Sequence, residues 1–372
     1  MKTEYSSIAA YEPEDFLEVR SRLLSEPSLR QFLEIQLQSD PTPMLNEMGQ
    51  AQSLSEMDRT LTFPALHRCV ELTATSLTLL GGDNISFGST IITNHRDIIL
   101  DAAFLSVLLS EQKNIRPYMG IGTNLYVQPW VEDYMRLNRT FSVIRGGSPK
   151  ELLQHSILLS KYINYLLKQQ QCIWLAQREG RAKDSDDRTQ SAILKMLTLA
   201  AEGDVIERLR SLNITPISLS YEYDPCDYLK AQEMQLKRDN PQYKKTPQDD
   251  YINMLTGIKG FKGQIVFTIT PSINKELNEI ANTTNVRNEQ YELAAKLIDR
   301  HIHSAYQIFP TNCSALSLLE NGKPLTLQDD QFLTYVNSRI DKINIPNKDY
   351  SFLLNRILTM YANPLINFNK QH

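Results

Sequence analysis

The sequence predicts an α/β protein with a mostly parallel central sheet flanked by helices, an N-terminal helical region and a C-terminal helical extension. Two observations carry this. Between residues 83 and 310, short β-type runs alternate with longer helical runs, the pattern of a sheet built with crossover helices. On either side of that stretch the strand-type runs give out and apolar residues recur at helical spacing. The reading divides the chain into 1–82, an N-terminal helical region; 83–310, the α/β domain; and 311–372, the C-terminal extension.

The elements are taken in order. Residues 13–25 place Phe16, Val19 and Leu23 on one helical face, with Pro13 in the first turn. A second helix follows Pro27 and carries Leu29, Phe32, Leu33 and Leu37. Residues 39–52, with Pro41, Pro43, Asn46 and Gly49, read as a linker. A further helix with Leu66, Val70, Leu72 and Leu77 runs to Gly81-Gly82. Strands are predicted at 89–93, 115–119, 140–144, 172–177, 214–220 and 264–270, and helices at 101–112, 125–137, 149–169 and 189–202. Residues 224–250 are rich in charge and proline and read as an exposed helix plus loop. An amphipathic helix spans 286–304, and short helices fill 314–368. There is no internal repeat.

Composition excludes several classes. With 41% hydrophobic and 22% charged residues the chain is an ordinary globular one. A net charge of −4 argues against a general nucleic-acid binder. The four cysteines, Cys69, Cys172, Cys226 and Cys313, form no CxxC pair, so neither a zinc ribbon nor a disulfide framework is expected. The opening Met1-Lys2-Thr3-Glu4-Tyr5 lacks the order of a secretion signal, and no apolar run reaches the ~18 residues of a spanning helix. A soluble or membrane-peripheral protein is expected.

The chemistry concentrates where predicted strands end, which is where sites form in open parallel sheets. The first cluster is Asn94-His95-Arg96-Asp97, with Asp101 at the start of the helix beyond. An imidazole at a strand-to-helix corner with a carboxylate on its other nitrogen makes a general base. The structural alternative is Asp97 as a helix cap beside an incidental surface histidine. The second cluster is Arg145, and the third runs from Arg178 through Glu179, Gly180 and Arg181 to Lys183 and Asp184. His95-Arg96-Asp97 also matches the kinase catalytic-loop tripeptide, but Ala102 stands where an asparagine belongs and no DFG or glycine-rich phosphate loop exists. His301 and His303 are two apart on a helix, so they do not share a face, and a surface reading is preferred to a metal site. Lys244, Lys245, Lys259 and Lys262 read as a solvated charged face.

Taken in order, the clusters resemble the glycerol-3-phosphate and 1-acylglycerol-3-phosphate acyltransferase superfamily over about residues 85–225. Thr93-Asn94-His95-Arg96 matches its histidine motif, and Thr140 to Arg145 its strand ending in arginine. Cys172 to Arg181 matches its Glu-Gly strand end, and Ile214-Thr215-Pro216-Ile217-Ser218 its proline-bearing strand. There are two departures. The family's aspartate falls at position 100, which is leucine here; Asp101 is one residue late, and Asp97 is the alternative. Arg181 comes after Gly180 one residue early, with Lys183 standing for the second basic position.

The resemblance implies an O-acyltransferase of phospholipid synthesis. In it His95, oriented by Asp101 or Asp97, deprotonates an acceptor hydroxyl that attacks an acyl thioester. Arg145, Arg181 and Lys183 would hold an acceptor phosphate, with Glu179 and Gly180 in the same wall. Backbone N–H groups at the helix start are the expected oxyanion donors. It further implies no metal and no cofactor beyond acyl-CoA or acyl-carrier protein as co-substrate, a phosphorylated glycerol acceptor, and a cytoplasmic place on the inner face of a membrane. The alternatives are an N-acyltransferase of amino-acid lipid synthesis and a non-catalytic lipid-binding scaffold.

Overall fold

The computed structural model describes residues 4–372; residues 1–3, part of the stretch read for a secretion signal, lie outside it. Seven strands form one sheet: β1 (Ala74–Leu80), β2 (Thr90–Thr93), β3 (Tyr118–Gly122), β4 (Thr140–Val143), β5 (Ile173–Ala176), β6 (Ile214–Tyr221) and β7 (Gly263–Ile269). Their order is β1-β7-β6-β2-β5-β3-β4, and every ladder is parallel except β6–β7. The protein is therefore an α/β protein with a mostly parallel sheet, as the alternation predicts.

Side chains alternate across each strand, and the two faces of the sheet receive separate cores. Ile92 of β2 and Ile173 and Leu175 of β5 point into one core, shared with the helices Pro149–Lys168 and Arg287–Ser304. Ile91, Trp174, Ile217, Leu219 and Tyr221 point into the other, against the helix Leu100–Lys113. That helix is apolar on most of its surface because it is covered by the sheet below and by the helices Phe63–Thr73 and Pro247–Lys259. Two satellite cores lie beyond. One joins the N-terminal helices through Phe16, Leu29, Leu33, Met48 and Leu61. The other joins the C-terminal helices through Phe332, Val336, Leu353 and Ile357.

Some expectations are corrected. Residues 74–80 are the edge strand β1, not the end of a helix, so the helical reading of 1–82 fails over that segment. Leu66, Val70 and Leu77 keep a helical interval, but the helix stops at Thr73 and the threonine-rich run beyond pairs with β7. The linker 39–52 contains the helix Thr42–Gln50, with Pro43 in its first turn and Leu45 and Met48 buried. Residues 224–250 are less exposed than predicted: the helix Asp227–Asp239 buries Lys230, Ala231 and Gln235, and a second helix starts at Pro247. The tail ends in one long helix, Tyr350–Asn369. Among the described residues no helix is long and apolar enough to cross a membrane.

Candidate active site

β2 lies between β5 and β6, so the loops leaving their carboxyl ends are neighbours. The loop after β2 is fixed first. Asn94 is fully buried and bridges to β6, donating to the Leu219 carbonyl at 2.9 Å and accepting from the Leu219 N–H at 2.7 Å. Arg96 turns inward and meets both oxygens of Asp187, at 3.2 and 2.7 Å. Burial alone would lower the Arg96 pKa, but the Asp187 carboxylate outweighs it and holds the guanidinium above its ordinary value. Tyr306 and Asn94 add hydrogen bonds to Asp187 Oδ2.

His95 stands between these anchors with its side chain 13% exposed. Its Nδ1 is 2.8 Å from Asp101 Oδ2, and the ring meets Trp174 nearly at right angles, 6.2 Å between centroids. A neutral imidazole facing an ionised carboxylate must carry its proton on Nδ1, which leaves a lone pair on Nε2. Nε2 has no hydrogen-bond partner among the described residues. Asp101 is completely buried, which is costly for a carboxylate unless its oxygens are satisfied. They are: Oδ2 also accepts from the N–H groups of Arg96 and Asp97, and Oδ1 accepts from the Tyr221 hydroxyl at 2.9 Å.

Asp97 does different work. Its Oδ1 accepts from the N–H groups of Ile99 and Leu100, closing the start of the helix Leu100–Lys113. Burial, then the neighbouring Asp101, raise its pKa, and those two N–H groups oppose the rise. It makes no hydrogen bond to His95, so the alternative in which Asp97 orients the imidazole is corrected: the turn aims its carboxylate forward along the chain. Its other oxygen lies against Gly257, where a Cβ would collide with it. Around the helix start, the N–H groups of Arg96, Asp97, Ile99 and Leu100 are occupied by these two carboxylates.

The predicted acceptor-binding residues do not converge. Arg145 comes after β4 at the sheet edge and lies over Gly122, with Nη1 3.5 Å from Glu179 Oε1. Arg145 is 36% and Glu179 69% exposed at the side chain. Gly180 has φ +69°, a left-handed conformation that favours glycine, and open space where a Cβ would be. Beyond that turn the chain dives. Arg181 donates to Asn253 at 2.9 Å, and its Nη1 is buried without a partner. Lys183 pairs with Glu233, itself 2.9 Å from Lys237. As free phosphate ligands, Arg181 and Lys183 are corrected: Asn253 of the helix Pro247–Lys259 holds the first and Glu233 of the helix Asp227–Asp239 the second.

Other residues also depart from their expected surface setting. His303 is buried and bonded to the Asp187 carbonyl at 2.7 Å, while His301 pairs with Glu276. Lys262 is buried, donating to Thr73 and to the carbonyl of Gly260. Among the described residues no group of three or more His, Cys, Asp or Glu is placed to hold a metal.

Beside the His95 loop is an apolar cavity of about 460 Å³. Ile98, Ile99 and Leu100 line it next to the loop; Phe32, Phe63 and Trp130 are supplied by helices on the sheet face. Met119 and Arg116 line it near the amino ends of the strands. Arg116 is neutralised there by both oxygens of Asp58 at 2.9 Å. Sequence reasoning misses Asp187, Tyr221 and this cavity. Each depends on contacts between distant segments that no local motif announces.

No family model matches the sequence, and no curated protein matches it. Among solved structures the chain is similar to the crystal structure of the 1-acyl-sn-glycerophosphate (LPA) acyltransferase PlsC from Thermotoga maritima. The identity is 12% and the TM-score 0.35, over 78% of this chain and 95% of that one. At that TM-score the likeness carries no weight for activity or substrate.

Proposed function

We propose that the chain is an O-acyltransferase that moves a fatty acyl group from an acyl thioester to glycerol-3-phosphate or 1-acylglycerol-3-phosphate, with His95 as general base. The donor is acyl-CoA or acyl-carrier protein. The observation that carries the reading is the His95–Asp101 pair with Nε2 unengaged; Ile98, Ile99 and Leu100, farther along the same loop, line an apolar cavity of a size suited to a small-molecule ligand. His95 Nε2 takes the acceptor hydroxyl proton as the oxygen attacks the thioester carbonyl. The tetrahedral intermediate collapses, the C–S bond breaks, and the imidazolium returns its proton to the departing thiolate. A positioned base contributes about 10²–10⁴-fold, roughly 3–5 kcal/mol. The acyl chain takes the apolar cavity, and Arg145 meets the acceptor phosphate. Action on a bilayer surface fits this substrate class; exposed Val127, Tyr251 and Ile252 supply apolar contact there.

A second reading, an N-acyltransferase making an amino-acid lipid, is favoured by one observation. Arg181 and Lys183 are engaged elsewhere, which leaves Arg145 to meet an acceptor anion, enough for a carboxylate. Mass spectrometry of products from palmitoyl-CoA offered with glycerol-3-phosphate, lysophosphatidate or glycine separates the two. Acylated phosphate esters support the first reading, N-palmitoylglycine the second, and no product with any acceptor contradicts both.

A further inference from the structure

Both oxygens of Asp101 are used, and the second has a partner that no motif contains. Tyr221, the last residue of β6, donates its hydroxyl to Asp101 Oδ1 at 2.9 Å across 120 positions of sequence. We propose that Tyr221 is a positioning residue for acyl transfer: its hydroxyl locks the Asp101 carboxylate in the rotamer that holds His95, and draws off part of the charge facing the ring. The proposal rests on the general-base reading of His95.

Three features support it. A carboxylate turns freely about its last torsion unless both ends are tied. Oδ2 is tied by His95 and two backbone N–H groups, and Tyr221 ties the opposite end. The tyrosine is itself fixed, because β6 pairs on both sides and Asn94 clamps the His95 loop to Leu219, two residues before it. Burial and the adjacent Asp101 and Asp97 carboxylates hold the phenol protonated, so it donates. The titratable and charged groups around this contact are Arg96 and Asp97 on the same loop and Cys69 on the helix Phe63–Thr73; Arg181 and Lys262 face Asp97, Asp187 and Asp224 face Arg96, and Lys230 donates to the Arg96 carbonyl.

Tyr221→Phe removes the hydroxyl and keeps the ring. We expect kcat to fall about tenfold, the scale of one hydrogen bond to a charged group, with KM for donor and acceptor unchanged. With Oδ1 unpaired, more charge faces the imidazole, so the ascending limb of kcat/KM against pH moves to higher pH. The His95 ring titration followed by NMR moves the same way. That titration needs no turnover, so it tests the coupling even if no acyl acceptor is found. A wild-type protein without His95-dependent transfer overturns the general-base reading, while an unmoved titration in folded Tyr221→Phe overturns this one. Should that variant not fold, 3-fluorotyrosine at position 221 keeps the hydroxyl and strengthens its donation. The His95 titration must then move to lower pH, and no movement overturns the proposal.

Discussion

The corner after β2 and the wall formed by the loops after β4 and β5 sit at the same end of the sheet, yet they are built in opposite ways. At the corner the side chains around His95 are tied. Asn94 is bonded to Leu219, Arg96 to Asp187, and both Asp101 oxygens are filled, leaving His95 Nε2 open. In the wall, Arg145 and Glu179 are exposed and 3.5 Å apart, Gly180 turns in open space, and Arg181 and Lys183 are drawn inward to Asn253 and Glu233. A reacting atom needs fixed geometry, because small misplacements are costly in rate. An anion contact works from a mobile guanidinium. On the proposed reading, the corner is the part of the site that is already assembled and the wall is the part that an acceptor completes.

Substitutions can break this contrast in graded steps. The largest expected effect is His95→Ala, which should lower kcat by about 10²–10⁴-fold and leave the melting temperature near that of the parent. Next come the two aspartates, which should respond differently. Asp101→Asn should lower kcat by about 10²-fold and also destabilise the fold, since an uncharged amide oxygen accepts more weakly from His95 and the two N–H groups. Asp97→Ala should change kcat less than about threefold while costing roughly 1 kcal/mol through the lost helix cap. Equal kinetic losses for the two would undo the assignment of Asp101 as the partner of His95. Arg145→Ala should raise KM for a phosphorylated acceptor about tenfold with kcat held, and initial rates against acceptor concentration read this directly.

The smallest kinetic effect is expected at Lys183, where Lys183→Met should leave steady-state rates within about twofold. Its signature lies in stability. Burial lowers the Lys183 pKa to about 8, although Glu233 beside it pulls the other way. Between about 8 and the ordinary lysine value of ~10.4, Lys183 is less protonated in the native state than in the unfolded chain, so its own contribution to stability rises with pH through that window. Lys183→Met should flatten the rise, seen as melting temperature against pH. A large loss of activity in this variant would return Lys183 to the acceptor site.

Legibility from sequence divides along the same line. The α/β alternation was legible because strands such as Thr90–Thr93 and Ile214–Tyr221 carry β-type runs bounded by turn residues. β1 was hidden because Leu77 continues a helical interval from Leu66 and Val70, and pairing with β7, nearly 190 positions away, decides the matter. His95 stood out from its corner, and Asp101 and Asp97 both lay within reach along the chain. Choosing between them needed the direction of each carboxylate, which spacing does not give. Arg181 and Lys183 were placed by proximity to Glu179, but beyond the left-handed turn at Gly180 they are held by Asn253 and Glu233 of two later helices. Tyr221 and Asp187 reach the corner from 120 and 91 positions away, too far for a local pattern to register.

The most direct measurement is acceptor-dependent thiol release from palmitoyl-CoA, with glycerol-3-phosphate, lysophosphatidate or glycine, by the parent protein and by His95→Ala. We predict release that requires an acceptor and falls by at least about 10²-fold in the variant. Release that persists in a folded His95→Ala protein, or that ignores the acceptor, would contradict a base at His95.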